Sequence, residues 1–174
     1  MDTPEEQSEP RWLTAEERQA WLTLSCVIVR LGPALDAQLH RDAGISYFEY
    51  MVMAALSEVP QRTLRMSELA DLAGGSLSRL SQVVTRLENK GLVRRTPDPA
   101  DGRSTLAVLT DDGWDKIVAT APGHVTEVRR IVFDTLTKTQ THQLTNIAQR
   151  ILQVLDPDDR MLSGRSRTDS ASSA

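Results

Sequence analysis

The sequence is poor in the residues and segments on which several classes of protein depend. It has one cysteine, Cys26, in 174 residues, so no disulfide can form within the chain, which fits a reducing compartment. Aromatic residues make up only 4% of the chain, so the predicted core consists mainly of aliphatic side chains. No uninterrupted apolar run approaches the roughly 18 residues of a membrane span, and the acidic start, MDTPEEQSEP, is unlike a secretion signal. We therefore expect a cytoplasmic protein with no membrane segment.

Patterns of catalytic and metal-binding residues are also missing. His40, His124 and His142 lie far apart, and no cysteine or carboxylate accompanies them at the spacing of metal ligands. The sequence contains neither a Gly-rich phosphate-binding loop nor a nucleophile paired with a base. It predicts no enzyme, no metal site and no cofactor.

Charge is distributed unevenly along the chain. The net charge is −4, yet residues 62–103 hold eight basic and five acidic side chains, a net charge of +3. Residues 1–61 hold four basic and ten acidic side chains, and residues 104–174 hold eight and nine. Because salt screens charges over roughly 8 Å, a local basic segment matters more to a polyanion than the total charge does. The middle of the chain is therefore the candidate segment for binding nucleic acid.

Capping residues and apolar spacing predict a mainly α protein with one small β-hairpin. The capping boxes TAEE and SYFE begin the first two helices, and bends are expected at Gly32-Pro33 and Pro122. Two alternating segments, LVRRT and STLAVL, flank the turn Pro-Asp-Pro-Ala-Asp-Gly. The six predicted helices follow cap residues Thr14, Ser46, Ser67, Ser76, Thr110 and Thr137.

The middle of the chain has the element order of a winged helix-turn-helix. A short helix (MSELADLAGG) is followed by a longer one (SLSRLSQVVTRLENKG) and then by the hairpin, and the second helix of such a motif enters the DNA major groove. At about 100° per residue, one side of this longer helix is apolar. That side carries Leu77, Leu80, Val83, Val84 and Leu87. The opposite side carries Ser78, Gln82 and Thr85, flanked by Arg79 and Arg86, which suit base edges and phosphates. On this pattern alone, an ordinary polar surface helix stays open.

Arginines cluster around the hairpin. Arg103 at the tip suits the negative potential of a narrow minor groove, and Asp101 is placed to hold its guanidinium or that of a neighbouring arginine. Arg94 and Arg95 suit the phosphate backbone. A tight turn accounts for Asp101-Gly102 but not for the arginines beside it.

The segments LRMSELADLAGGSLSRLSQVVTRLENKGLVRR and DPADGRSTLAVLTDDG resemble the MarR family of bacterial transcription regulators. The resemblance covers about residues 12–156. It implies a homodimer that binds a pseudo-palindromic operator, usually as a repressor released by a ligand or an oxidant. By position it implies that DNA is contacted by Ser76, Ser78, Arg79, Ser81, Gln82, Thr85 and Arg86, and in the wing by Asp101 and Arg103.

The predicted organisation is a winged helix-turn-helix lobe between dimerisation helices. The apolar stripes at both ends of the chain exceed what a winged-helix core of about 90 residues needs, which favours a dimer independently. The last helix is expected to turn Leu144, Ile147, Ile151, Leu152 and Leu155 inward. The predicted segments are a disordered tail (1–11), an N-terminal dimerisation helix (12–45), the DNA-binding lobe (46–110), the C-terminal dimerisation helices (111–156) and a flexible tail (157–174).

The resemblance also implies an effector. Members of the family commonly bind small aromatic or lipophilic anions between the dimerisation helices and the DNA lobe. Ordinary packing is an equally open interpretation of the candidates for such a site. These candidates are Trp21, Arg30, His40, Tyr47, Tyr50 and Met51.

Cys26 raises the question of redox sensing, because some members use a cysteine in the first helix. Cys26 lies later in that helix than the sensing cysteine does, and no basic residue closely precedes it. A buried structural thiol is therefore favoured over a redox switch. Two alternatives to a ligand-responsive, nucleoid-associated regulator stay open: a winged-helix interaction module that has lost DNA binding, and a Cys26-based redox regulator.

Overall fold

The computed structural model describes residues 10–157. Of the two predicted tails, residues 1–9 and 158–174 lie outside the described residues. The helices are α1 (Ala15–Ala43), α2 (Tyr47–Ser57), α3 (Met66–Leu72), α4 (Leu77–Asn89), α5 (Asp111–Ile131) and α6 (Lys138–Leu155). The strands are β1 (Thr63–Arg65), β2 (Val93–Asp98) and β3 (Asp101–Leu109), and the short 3-10 helices are Pro60–Arg62 and Phe133–Thr135.

The chain forms two compact units, one ending at Ala34 and the other beginning at Leu35. In the first, the predicted capping box begins α1: the Thr14 amide donates to Glu17 over 2.8 Å, and the Glu17 amide donates to the Thr14 hydroxyl over 3.2 Å. By length and composition alone, α1 is long and apolar enough to cross a membrane, since an 18-residue window of it has a mean hydropathy of 1.3. Only 6% of that window is buried within the structure. Its exposed large apolar residues include Trp21, Leu22, Leu24, Val27, Ile28 and Val29.

Four of the predicted helix starts in the second unit are confirmed. Each cap hydroxyl accepts a hydrogen bond from the amide three residues on, and the caps are Ser46, Ser76, Thr110 and Thr137. The predicted cap at Ser67 is wrong, because α3 already begins at Met66. The reason is that Glu68 reaches back to the backbone amide of Arg65, over 3.3 Å, and so closes the first turn earlier. Neither predicted bend ends a helix, since α1 continues through Pro33 and α5 through Pro122.

The predicted hairpin is confirmed, and a third strand joins it. The sheet is antiparallel with order β1-β3-β2, and Ala107 of β3 lies between Leu64 of β1 and Arg95 of β2. A register shift at Pro97/Asp98 leads into the tip. The three residues of β1 are too few to show an alternating pattern, so no local pattern predicts this strand.

The core of the second unit lies between α2, α3, α4 and the base of the sheet. Two glycines permit its close approaches. A Cβ at Gly113 would lie 2.1 Å from the carbonyl oxygen of Leu92, and one at Gly75 would lie 2.6 Å from Cζ of Phe48. The fully buried side chains include Leu39, Met53, Leu56, Leu69, Leu80 and Leu87.

The predicted inward face of α6 is wrong for the single chain. No residue of α6 is buried among the residues that the structure describes. The side chains of Leu144, Ile147, Ile151 and Leu155 are 41 to 74% exposed. The apolar pattern is present, but within residues 10–157 the face is at most partly covered, at Leu152.

Candidate nucleic-acid interface

Helix α4 has one buried and one exposed face, as predicted. Its core face is buried through Leu80, Val83, Val84 and Leu87, each no more than 2% exposed. Leu77 is an exception at 54% exposed, because the first turn extends past the core. The predicted DNA-facing residues are all exposed: Ser76, Ser78, Arg79, Ser81, Gln82, Thr85 and Arg86.

Arg79 is held by contacts that the sequence pattern did not reveal. Its guanidinium lies over the ring of Phe48 on α2, 4.3 Å from the ring centroid. Its backbone amide donates to the hydroxyl of the N-cap residue Ser76 over 3.2 Å. A cation over an aromatic ring is attracted to it, so the direction of Arg79 is partly set before any ligand arrives.

The buried carboxylate of Glu49 connects α2 to the C-terminal half of α4. It accepts a hydrogen bond from Lys90 Nζ over 3.1 Å and lies 3.8 Å from Arg86 Nε. Burial by itself raises the pKa of Glu49, but the hydrogen bond from the Ser46 amide and the charge of Lys90 outweigh it, so the pKa is lowered overall. The carboxylate is therefore charged at neutral pH. Arg86 is the one predicted DNA contact on α4 with an acidic neighbour on α2.

At the wing tip, Arg103 is exposed and Asp101 organises the turn. Asp101 accepts hydrogen bonds from the Arg103 amide (3.1 Å) and the Ser104 hydroxyl (2.7 Å). The Ser104 hydroxyl and then the Arg103 amide lower the pKa of Asp101. Asp101 was predicted to hold the guanidinium of Arg103 or of a neighbouring arginine; its hydrogen bonds go to the Arg103 backbone and to Ser104, and the charge of the neighbouring Arg65 also lowers its pKa. Asp101 instead fixes the backbone from which Arg103 projects.

The tip end of β2 is joined to the last residue of β1, just before α3, by an ion pair that sequence reasoning missed. Arg65 Nε lies 2.8 Å from Oδ2 of Asp98, and the other oxygen of Asp98 accepts from the Ala100 amide over 2.9 Å. The Ala100 hydrogen bond and, after it, Arg65 lower the pKa of Asp98. The pair joins positions 33 residues apart, and no local pattern indicates such a contact.

The two adjacent wing arginines differ. Arg94 is exposed. Arg95, predicted to contact phosphate, has a side chain only 26% exposed and pairs with Glu88 on α4. Its guanidinium also donates to the carbonyl of Ser81 over 2.7 Å and to the hydroxyl of Thr85 over 3.2 Å. Arg95 is therefore engaged within the protein.

A cleft of about 360 Å³ separates α4 from the wing. Three arginines and four hydroxyl side chains are among its lining residues, so a polyanion would meet positive charge and hydrogen-bond donors there. The lining residues are Arg65, Met66, Ser67, Leu77, Ser81, Arg95, Arg103, Ser104 and Thr105.

Comparison with known proteins supports this interpretation of the fold. The model of the MarR family matches residues 43–104. The crystal structure of Sco3205, a MarR family transcriptional regulator from Streptomyces coelicolor in complex with DNA, is 45% identical over 87% of this chain and 95% of its own, with a TM-score of 0.83. The chain belongs to the MarR family.

Other MarR family and regulator sequences agree. AbsC, also from Streptomyces coelicolor, is 37% identical and covers 84% of this chain and 98% of its own, with a TM-score of 0.79. The transcriptional regulator HosA of Escherichia coli O111:H- is 38% identical over 73 residues. That match spans 42% of this chain and 52% of HosA, about half of the curated relative.

The predicted effector residues of this MarR family member are divided between the two units. Trp21 and Arg30 belong to the first unit, whereas His40, Tyr47, Tyr50 and Met51 belong to the second. His40 is exposed and lies 3.3 Å from Asp36. A common effector site of the six residues stays a prediction.

Tyr47 and Tyr50 lie beside a histidine that sequence reasoning set aside. The ring of His124 is 4.4 Å from that of Tyr50 and 6.0 Å from that of Tyr47, centroid to centroid. His124 is 8% exposed, and its Nδ1 lies 3.4 Å from the Gln38 side-chain oxygen. Burial lowers the pKa of His124, so the imidazole is neutral at pH 7. The residues meet only in the folded chain, which is why their spacing gave no signal.

The expectation that Cys26 is buried is wrong. Cys26 is exposed. Among the described residues no group of three or more His, Cys, Asp or Glu side chains is arranged to hold a metal ion. The role of Cys26 stays a prediction.

Proposed function

We propose that this MarR family protein binds double-stranded DNA, with α4 in the major groove and the wing in the adjacent minor groove, and that it represses transcription. The observation that carries the proposal is the exposed face of α4 next to Arg103. That face presents short hydrogen-bonding side chains and arginines, and it carries no acidic residue before Glu88. Sco3205, the relative 45% identical to this chain, was solved in complex with DNA, which supports DNA binding; the docking itself follows from the general geometry of helix-turn-helix proteins.

The proposed contacts fall into two classes. Ser78, Arg79 and Gln82, near the start of α4, suit base edges in the major groove. Backbone and minor-groove contacts are proposed for Ser76, Arg86, Arg94 and Arg103. Four other residues were also predicted to contact DNA: Ser81, Thr85, Arg95 and Asp101. All four take part in hydrogen bonds within the protein, and in this proposal they support the site and do not contact DNA.

The protein acts as a homodimer in this proposal. The exposed large apolar side chains of α1 and those of α6 each support it, because apolar helix faces left exposed mark interaction sites. A two-fold dimer presents two copies of α4, and half-sites on DNA then repeat about one helical turn apart, near 10 base pairs. A pseudo-palindromic operator follows from that symmetry. Burial of α1 in the dimer also accounts for an apolar helix in a cytoplasmic, DNA-associated protein.

Release by a small aromatic or lipophilic effector completes the proposal. The neutral imidazole of His124 and the phenol rings of Tyr47 and Tyr50 offer aromatic surface with polar edges. Such a group suits an aromatic acid or phenol. Trp21, Arg30, His40 and Met51 stay predicted effector residues.

Selection of bound duplexes from a random DNA pool, followed by sequencing, tests the central claim. We expect enrichment of a palindrome with two half-sites about 10 base pairs apart, and binding that weakens steeply with salt. A pool that shows no enrichment at low salt would instead support a winged-helix interaction module without DNA binding.

Redox regulation through Cys26 is a second candidate, and the exposure of the thiol in the single chain, before α1 is covered in the proposed dimer, favours it. If it operates, peroxide releases the wild-type protein from its selected duplex and Cys26→Ser abolishes that release. Release that persists in Cys26→Ser, or no release from the wild type, excludes the mechanism.

A further inference from the structure

Arg95 on β2 makes all its described side-chain contacts with α4. One guanidinium nitrogen pairs with Glu88 and lies 3.2 Å from the Thr85 hydroxyl. The other donates to the Ser81 carbonyl over 2.7 Å and lies 3.2 Å from the hydroxyls of Ser81 and Thr85. The second oxygen of Glu88 accepts from the Arg95 backbone amide over 2.8 Å. Arg95 and Glu88 thus connect strand and helix through both backbone and side chain.

We propose that Arg95 and Glu88 form a brace that positions the wing against α4, and that Arg95 is a positioning residue and not a phosphate contact. The proposal rests on the proposed DNA-binding function. Binding requires α4 and the tip arginine Arg103 to reach their grooves together, so the distance between helix and wing must be fixed. Arg95 and its acceptor Ser81 are among the residues that line the cleft between them.

Local electrostatics argues against a phosphate contact by Arg95. Both terminal guanidinium nitrogens already have acceptors. A phosphate that bound these two nitrogens would compete with the acceptors already there, and if it displaced Glu88, that carboxylate would lie uncompensated next to the DNA. The Arg95–Glu88 pair also carries no net charge, so it adds little to the attraction of the lobe for a polyanion.

The same contacts restrict which side chains of α4 can distinguish bases. The Thr85 hydroxyl donates its one proton to the Ser81 carbonyl over 3.0 Å and accepts from Arg95. Thr85 therefore has no donor left for a base edge. Sequence discrimination is assigned to the residues of α4 outside the brace, chiefly Ser78, Arg79 and Gln82.

Glu88→Gln tests the brace through the sign of its effect. The substitution removes a negative charge next to the DNA-facing surface, so electrostatics alone predicts tighter binding. The brace predicts binding about tenfold weaker, because a charge-assisted hydrogen bond is lost. Asp115→Asn is the matched control, since it removes the same charge from an exposed site on α5. Glu88→Gln binding as tightly as wild type, or more tightly, overturns the proposal.

Arg95→Lys and Arg94→Lys separate positioning from phosphate contact. Lysine binds phosphate as a point charge but cannot reproduce the forked hydrogen bonds of arginine. We expect Arg95→Lys to weaken binding about as much as Arg95→Ala, and Arg94→Lys to bind like wild type. The dependence of affinity on salt gives a second readout: each lost phosphate contact reduces the logarithmic slope by about 0.9, so its loss from both protomers of the proposed dimer reduces the slope by about 1.8. Arg94→Ala should show that reduction, and an equal reduction in Arg95→Ala overturns the proposal.

Hydrogen exchange in the free protein tests the brace without DNA. Glu88→Gln should speed amide exchange in the wing, residues 95–105, by about tenfold while α2 keeps wild-type protection, which also shows that the variant is folded. Unchanged exchange in the wing contradicts the brace. If the wild type selects no duplex, the proposed function fails, and the exchange result still decides whether the brace exists.

Discussion

Helices α4 and α6 both have amphipathic sequences, but they differ in whether the folded chain buries their apolar faces. The apolar face of α4 is buried by α2, α3 and the sheet, with Leu80 and Leu87 fully inaccessible. The apolar face of α6 is exposed, with Ile147 57% and Ile151 42% accessible. An amphipathic pattern predicts that the apolar face of a helix is buried. It does not indicate whether the same chain or a second copy of it buries that face.

Charges on α6 are expected to have the largest effect. Ile147→Glu together with Ile151→Glu would place two carboxylates in the proposed dimer interface, where unpaired buried charges cost several kcal/mol. We expect a weakening of the dimer by at least about 100-fold, which corresponds to roughly 2.7 kcal/mol, and loss of binding to the selected duplex. Sedimentation velocity measures the mass. Gln149→Glu, on the opposite side of α6, is the control, and a double variant that stays dimeric refutes this interface.

Gly113→Ala should have the next largest effect, and it acts within the second unit, which contains α4. The added Cβ would meet the Leu92 carbonyl oxygen at 2.1 Å, so the first turn of α5 must move away from the sheet. We expect a loss of about 1–3 kcal/mol in the free energy of unfolding, as for overpacking in general. Thermal or urea denaturation measures it. Gly102→Ala is the control, because nothing lies within 4 Å of a Cβ there. Equal stability of the two variants would contradict the described packing.

The two ends of the α4–wing surface should respond differently to truncation. Arg103→Ala removes a groove contact whose attraction is largely independent of sequence, so affinity falls about tenfold on many duplexes. Gln82→Ala removes a base contact worth about 1–3 kcal/mol of discrimination and should change which sequence the random pool yields. Titrations on the selected duplex and on a scrambled one distinguish them. Identical effects of both variants on both duplexes would contradict the division between helix and wing.

The smallest expected effect is that of acid on the α2–α4 connection. The pKa of Glu49 lies below its usual value of 4.5 in the folded chain, so its charged form favours folding. This contribution is complete above pH 4.5 and is lost as the pH falls through the lowered value. Glu49→Gln should therefore be less stable than wild type at neutral pH and should approach it in acid. An unchanged difference between the two across that range would contradict the role of Glu49.

Local signals in the sequence predicted most of the fold. The hydroxyl caps at Ser46, Ser76 and Thr110 are confirmed. Such caps can be predicted because each hydroxyl accepts a hydrogen bond from an amide only three residues away. Strand β1 could not be predicted, since three residues show no period and the strand depends on pairing with β3, more than 40 residues later. The start of α3 was missed for a related reason. Arg65, in extended conformation at the end of β1, donates its backbone amide to the Glu68 carboxylate, so the helix begins before Ser67.

The candidate site was predicted in outline and not in its internal contacts. The exposed face of α4 and the exposed Arg103 follow from helical period and turn position. The partners of Arg95 and Arg65 do not, since a basic residue next to a turn looks the same whether it faces solvent or a carboxylate brought near by folding. Exposure of Cys26 was also mispredicted, because the apolar neighbours that indicated burial are exposed on α1 as well.

The contact between Phe48 and Gly75 links two positions that are 27 places apart. The ring fills the space where any other residue at 75 would put its first side-chain carbon, and the same ring supports Arg79. In a relative with a bulkier residue at 75 the ring at 48 must move or be replaced, and the support under that arginine changes with it. Because Arg79 is a proposed base contact, a change at Phe48 or Gly75 is expected to affect which operator is preferred. We therefore expect substitutions at positions 48, 75 and 79 to occur together among related sequences.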